Sequence, residues 1–361
     1  MLDELDTPCV VVDMDRLERN IAAMALAARR AGVRLRPHAK THKIPEIARL
    51  QIAAGASGMT LAKLGEAEAF ADAGLGDFFL AYPLVGETKA RRLLALMERA
   101  RVVVGVDSVE GAQSLASVVG PTGRRLDVRI EIDMGLRRTG VLPENAIDLA
   151  RAIAPLRGLR LRGIFTHAGQ AYAEPTADKV AAVGRDEGTV LVRCAEALRA
   201  AGFEIEDVSV GSTPTAAASM SIAGVTECRP GTYVFNDATQ VGLGICQPED
   251  CALTVLATVV SVPAADRVVL DAGSKTLSSD IQRPTGDAYG MVAGGRGRLV
   301  RLTEEHGVVA PAPGTTWHVG ERVEVVPAHV CPVVNLHDRL VAVRGGRVEG
   351  ELRVAARGRV A

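Results

Sequence analysis

The sequence predicts an α/β protein, a TIM-like (β/α)8 barrel followed by a second, all-β domain. Two observations carry this. Short β-branched runs alternate with helix-forming runs eight times between Val33 and Pro230, the pattern of a closed parallel barrel. From about Gly242 the helical pattern stops, and the later runs are short, β-rich and broken by Gly and Pro. A third observation disfavours an open doubly wound sheet: no glycine-rich dinucleotide fingerprint follows an early strand. At 361 residues the chain exceeds what one compact core usually holds, so two domains are expected.

Thr7 to Asp13 is a β-branched run bounded by turn residues, hence a strand. Asp15 is the predicted cap of an amphipathic helix from Arg16 to Arg30, with Leu17, Ile21, Met24 and Leu26/Ala28 at helical spacing. Gly32 stops that helix, Val33 to Leu35 form the first barrel strand, and Pro45 opens the next helix. The strand-helix unit then repeats. Gly58 to Ala62 precedes an Ala/Glu-rich helix ending at Gly74, Asp77 to Ala81 precedes Glu87 to Arg101, and Val102 to Asp107 precedes Val109 to Val118. Leu126 to Asp133 precedes Pro143 to Ile153, and Gly163 to His167 precedes a long helix from Asp178 to Ala201. Asp207 to Val210 and Thr226 to Arg229 complete the eight strands. In the second domain, strands are predicted at Leu253 to Val262, Arg267 to Asp271, Gly297 to Thr303, Arg322 to Val326 and Leu340 to Arg344.

A net charge of -1 gives no nucleic-acid footprint. No apolar run reaches the roughly 18–20 residues of a membrane span. The start, Met1 to Glu4, is acidic and lacks a signal-peptide pattern. Six scattered cysteines (Cys9, Cys194, Cys228, Cys246, Cys251 and Cys331) show no framework spacing, so a reduced, cytoplasmic protein is expected. Aromatics are 3%, which leaves the core to Val, Leu, Ile and Ala.

The densest chemistry is Arg36-Pro37-His38-Ala39-Lys40-Thr41-His42-Lys43. It puts Lys40 near the carboxyl end of a strand feeding a helix, where parallel α/β proteins do chemistry. A basic surface loop is the plain alternative. The motif resembles the pyridoxal-phosphate (PLP) lysine segment of the D-threonine aldolase and D-serine dehydratase family, fold type III relatives of alanine racemase. The likeness extends over nearly the whole chain.

That resemblance implies several residue roles. Lys40 would carry the Schiff base. Gly211-Ser212-Thr213-Pro214-Thr215, with its amides and hydroxyls at a helix start, would cradle the phosphate, helped by Gly231 and Thr232. Arg138 would contact the ring hydroxyl and His167 would lie near the pyridine face. Arg229 and Tyr233 are candidates near the pyridine nitrogen, with more than one register open. The N-terminal strand would join the β domain, giving a barrel over residues 14–241 and a β domain over 1–13 plus 242–361.

His329 and Cys331, two apart on a predicted strand, face one way, and imidazole plus thiolate suits zinc. Alone the pair is weak; it resembles the zinc site of the dehydratase branch, whereas aldolases more often show His-x-Asp. The stretch Asp271 to Thr276 lacks the tyrosine that alanine racemases place opposite the lysine, and racemisation needs bases on both faces of Cα. The expected protein is a PLP- and metal-dependent lyase (zinc or manganese) on D-3-hydroxy amino acids, with a homodimer implied and the Asp271–Asp280 loop serving the partner. Dehydratase and aldolase stay open. A non-catalytic PLP carrier, a racemase of the same fold and a metal-only hydrolase are the alternatives.

Overall fold

The computed structural model describes residues 4–282 and 286–361; Met1 to Asp3 of the acidic start lie outside them. In chain order the first elements are β1 (Cys9–Asp13), α1 (Met14–Ala31), β2 (Arg34–Leu35), α2 (Pro45–Ala53), β3 (Met59–Leu61), α3 (Leu64–Asp72), β4 (Asp77–Leu80) and α4 (Glu87–Leu96). The chain continues with β5 (Arg101–Val106), α5 (Val109–Val119), β6 (Leu126–Glu131), α6 (Ala146–Ile153), β7 (Leu159–Phe165), α7 (Ala177–Ala200), β8 (Asp207–Val210), α8 (Ala216–Met220), β9 (Glu227–Cys228) and α9 (Ala238–Gly242). The second half holds β10 (Leu253–Ala264), β11 (Arg267–Leu270), α10 (Ser274–Leu277), β12 (Gly290–Val292), β13 (Gly297–Leu302), β14 (Gly307–Pro311), β15 (Arg322–Pro327), α11 (Val330–Leu336), β16 (Arg339–Arg344) and β17 (Arg347–Arg353).

Strands β2 to β9 form one parallel sheet in the order β2-β9-β8-β7-β6-β5-β4-β3. Its two end strands meet through a bridge between His38 and Thr60, so the sheet closes into the expected barrel. The seam is tight: Thr60 N donates to Pro37 O at 2.8 Å and Thr60 Oγ1 to Arg36 O at 2.9 Å. Lys40 lies immediately beyond this seam.

Local signals explain most boundaries and correct some. Asp13, not Asp15, caps α1, its Oδ1 accepting from Arg16 N at 3.0 Å, and Gly32 closes the helix at φ 66°. Asp15 sits in the first turn, where a carboxylate also suits the helix dipole. The predicted helix from Pro143 divides into a 3-10 turn, Pro143–Asn145, and α6.

The second sheet has nine strands in the order β11-β14-β13-β12-β15-β10-β1-β16-β17, with β11 also pairing to β10. β1 runs antiparallel to β10 and parallel to β16, so the N-terminal strand is built into it. Sequence reasoning missed β12, β14 and β17. β12 has three residues, and β17 is half charged with Gly350 at its centre, so neither shows a β-branched run.

The barrel interior departs from the expected aliphatic filling. Arg129, 1% exposed, donates to Asp207 Oδ2 at 2.8 Å and Glu227 Oε1 at 2.5 Å, and Arg36 Nε donates to Glu227 Oε2 at 2.9 Å. Burial alone would raise both carboxyls. Arg129, together with Arg34 beside Asp207 and Arg36 beside Glu227, outweighs it, and both stay below the ordinary carboxylate range. Two apolar cores flank this layer. Leu17 and Ile21 of α1 pack with Ile44, Ile47 and the second sheet, while Ala25 and Ala28 of the same helix pack into the barrel shell.

Candidate active site

The lysine motif divides between two jobs. After β2 the chain makes a 3-10 turn, Ala39–Thr41, which His38 caps by accepting from Lys40 N at 3.4 Å on Nδ1. His38, Lys40 and Thr41 line a cavity of about 810 Å³ at the carboxyl end of the barrel. His42 and Lys43 turn away from it. His42 is fully buried, its Nδ1 accepting from Ile44 N at 3.0 Å, which leaves Nε2 to donate to Gln51 Oε1 at 3.2 Å. Lys43 Nζ reaches Glu66 at 3.3 Å and Asn335 Oδ1 at 2.8 Å.

Burial pushes the His42 imidazole down to about 4. An unfolded histidine titrates near ~6.5, so the unfolded chain takes up a proton that folded His42 refuses. This contribution to stability is whole above that pH and is lost as pH falls toward 4. We expect the wild type to lose about 1.4 kcal/mol per pH unit from this group between these limits. In urea unfolding across that range, His42→Gln should lack the increment. An identical slope in both proteins would count against the assignment.

Four buried backbone amides converge on one wall of the cavity. Among the described residues, the N–H groups of Ser212, Thr213, Gly231 and Thr232 have no acceptor. Unpaired buried amides are costly, and here they face the same space as Lys40. A Cβ on Gly231 would lie 2.7 Å from Thr41 Oγ1 and 3.1 Å from His38 O, so only glycine lets this loop approach the lysine turn. The donor set fits a phosphate. The helix dipole expected there contributes little, because α8 has only five residues.

His167 lies just beyond β7, its Nδ1 donating to Gly211 O at 2.7 Å, which leaves the Nε2 lone pair free. Burial, with the Lys40 charge beside it, pushes its imidazole down to about 3, so it is neutral. Arg138 lines the cavity half-exposed, 3.8 Å from the Glu131 carboxylate. Arg229 donates to Ser209 Oγ at 2.5 Å and to Thr166 O, and lies 5.3 Å from the Phe165 ring centre. Burial lowers its guanidinium to about 10.

Tyr233 is the predicted residue that the structure places elsewhere. It does not line the cavity; its hydroxyl accepts from Gln51 Nε2 at 2.9 Å behind the wall, and its N–H donates to Thr213 Oγ1 at 3.1 Å. Its 3-10 turn, Thr232–Val234, rotates the ring inward. Sequence reasoning missed Glu131, Tyr172 and Asp237, all of which line the cavity. Tyr172 supplies the cavity with a tyrosine from outside the Asp271 to Thr276 stretch, and burial holds its hydroxyl protonated well above the usual phenol range.

His329 and Cys331 stand at the far end of the same cavity. They are not on a strand. β15 stops at Pro327, His329 is the residue before α11, and Cys331 is in its first turn. The turn still brings the two side chains close enough for each to shift the other's proton affinity. Burial would raise the Cys331 thiol, but His329, then Lys40, outweigh it and lower it. Burial would lower His329, but Cys331 and Asp280 hold it well above the usual imidazole range. Asp280 Oδ2 lies 2.7 Å from His329 Nδ1, a carboxylate placed as in many histidine metal sites.

Among the described residues no cluster of three or more His, Cys, Asp or Glu is gathered for a metal. The pair therefore offers two protein donors, one nitrogen and one sulfur. That set suits a soft divalent cation with positions left open for substrate and water. The loop expected to serve a partner ends in its own barrel's cavity, which Ser279, Asp280 and Ile281 line.

Two family models match: the alanine racemase N-terminal domain over residues 12–239 and the serine dehydratase domain over residues 252–343. The chain belongs to the D-threonine aldolase and D-serine dehydratase family of fold type III PLP enzymes. Within this family it is 40% identical to a D-threo-3-hydroxyaspartate dehydratase of Delftia sp. strain HT23, covering 91% of each chain. It is 35% identical to a D-threonine aldolase of Arthrobacter, covering 99% of this chain and 94% of that one. The solved D-threonine aldolase of Filomicrobium marinum superposes with a TM-score of 0.92 at 34% identity, over 100% of this chain and 98% of that one. The Delftia enzyme has also been solved as a cysteine-to-alanine mutant in the metal-free form.

Proposed function

We propose that this chain is a PLP- and metal-dependent lyase acting on D-3-hydroxy amino acids, and that dehydration is its reaction. One observation carries the reading. Lys40, the four free amides and the His329/Cys331 pair line a single cavity, and the Lys40 charge is close enough to lower the Cys331 thiol.

Bound PLP supplies an electron sink for the substrate's α-carbon, and zinc or manganese supplies a Lewis acid for its β-oxygen. The residues do the rest. The amides of Ser212, Thr213, Gly231 and Thr232 hold the phosphate. Lys40 Nζ anchors the cofactor and takes the α-proton, on a turn that His38 fixes. Arg138, balanced by Glu131, would orient the ring hydroxyl, and buried Arg229 would serve the pyridine nitrogen. His329 and Cys331 would hold the metal, with Asp280 orienting the imidazole.

His167 favours the aldolase as second reading, because its neutral Nε2 can accept a proton from a β-hydroxyl. Two things favour the dehydratase: the cysteine in the metal pair, and the Delftia dehydratase, whose histidine and cysteine mutants lie two positions apart, as His329 and Cys331 do. Incubation with D-threonine tests the choice. We expect 2-oxobutanoate and ammonia; glycine and acetaldehyde would move the protein to the aldolases, L-threonine to the racemases, and no turnover of any D-3-hydroxy amino acid would leave only the carrier.

The reading includes a homodimer with the cavity mouth at the interface. Tyr82, which lines the mouth, is 37% exposed and nearby Val85 is 56% exposed. Light scattering should give twice the chain mass; a fully active monomer would contradict it. The six free thiols accord with a reducing, cytoplasmic compartment, and no helix among the described residues is long and apolar enough to cross a membrane.

A further inference from the structure

Glu187, on α7, is fully buried, and the chemistry above makes no use of it. Its carboxylate gathers three donors. Oε1 accepts from Gly211 N at 3.0 Å, Oε2 accepts from Thr215 Oγ1 at 2.7 Å, and the Ala168 N–H reaches the same group. Those donors belong to two segments of the cavity wall. Ala168 follows His167. Gly211 and Thr215 bracket Ser212 and Thr213. The connections run one step further, since Thr215 Oγ1 lies 2.8 Å from Ser212 Oγ and Gly211 O accepts the His167 Nδ1 proton. The phosphate cradle and the imidazole thus hang on one buried acid.

The sequence goes to some length to put it there. Gly184 and Gly188 flank Glu187 on the face of α7 that meets α8. A Cβ on Gly184 would lie 2.9 Å from Ala218 Cβ and 2.9 Å from Thr215 O; one on Gly188 would lie 2.7 Å from Ile222 Cγ1 and 3.1 Å from Ser219 O. Only glycine at both positions lets the helices approach this closely. The approach brings a short acidic side chain under the wall.

A carboxylate beneath an anion's seat is an odd choice for a binding group, since a bare charge there repels phosphate. Burial raises the Glu187 carboxyl, and the three donors pull it back. Its acceptors are spent on the wall. It takes the Gly211 N–H out of the cradle and leaves the amides of Ser212, Thr213, Gly231 and Thr232 for the ligand. We propose that Glu187 is a positioning residue that locks the Gly211–Thr215 loop and the His167 imidazole in the geometry that holds a phosphate-bearing cofactor. This rests on the PLP reading above.

The test compares PLP with pyridoxal, which lacks the phosphate, by titrating apo protein and following absorbance. Wild type should prefer PLP. Glu187→Leu keeps the volume and accepts nothing; PLP binding should weaken by roughly tenfold to a hundredfold while pyridoxal binding stays within about threefold. Glu187→Gln still accepts from Gly211 N and should recover most of the preference. Gly188→Ala displaces α7 without touching the carboxylate and should follow Glu187→Leu; it decides on the same criterion if the leucine variant does not fold. The proposal is overturned if these variants keep the wild-type preference, or if both ligands weaken in parallel. A wild type that itself shows no preference for PLP defeats the functional reading instead, so the two failures are told apart.

Discussion

Replacing Lys40 by alanine should lower turnover by roughly a thousandfold or more, because one amine serves as both covalent anchor and proton acceptor. No neighbour can substitute. Lys40 is the one lysine among the described residues lining the cavity, and the Arg229 guanidinium, though lowered by burial to about 10, keeps its proton at neutral pH. Lys43, three residues on, is held by Glu66 and Asn335 on the far side of the turn. Borohydride should therefore fix PLP to Lys40 in the wild type. Lys43→Ala should keep that trapping and lose stability only. Trapping at another lysine, or normal turnover by Lys40→Ala, would end the reading.

Chelation should stop turnover of D-3-hydroxy amino acids while leaving the visible band of bound PLP in place. Hydroxide is a poor leaving group, and a metal held by His329 and Cys331 would supply the Lewis acid at that end of the cavity, where Asp237 and Asp280 add carboxylates. Loss of a Lewis acid at such a site costs roughly a hundredfold or more in rate. With two protein donors, the metal should come away to a strong chelator, and zinc or manganese should restore activity. Cys331→Ala should behave like the chelated enzyme and resist rescue. Cys9→Ala, whose sulfur sits on β1 in the second sheet, should be unaffected. Undiminished turnover after exhaustive chelation would remove the metal and with it most of the case for a β-hydroxyl substrate.

What the sequence made legible follows from physics local to the chain. Runs such as Val102 to Val106 announce buried parallel strands because both faces are apolar, and Lys40 could be placed because a strand end and a helix start lie on either side of it. The barrel interior could not be read. In Leu126 to Glu131 the alternation is plain, but the apolar residues pack outward against helices while Arg129 and Glu131 point inward. Inward charge is tolerable only because Asp207 and Glu227 arrive from two other strands. Tyr172 and Asp237 are single polar residues in loops, and only the folded chain brings them to the cavity. The sequence puts His329 and Cys331 side by side on a strand, whereas the structure brings both to the cavity from a helix start.

The helix α1 has a consequence for how the molecule comes apart. A chain with two sheets melts in two stages when each sheet seals its own interior. Here Leu17 and Ile21 plug one interior and Ala25 and Ala28 the other, and in α2 the neighbours Ile47 and Ala48 are divided the same way. Neither half can loosen without uncovering a wall of the other. The two sheets are thus one cooperative unit, and a calorimetric scan of the apo protein should show a single transition whose measured and van't Hoff enthalpies agree.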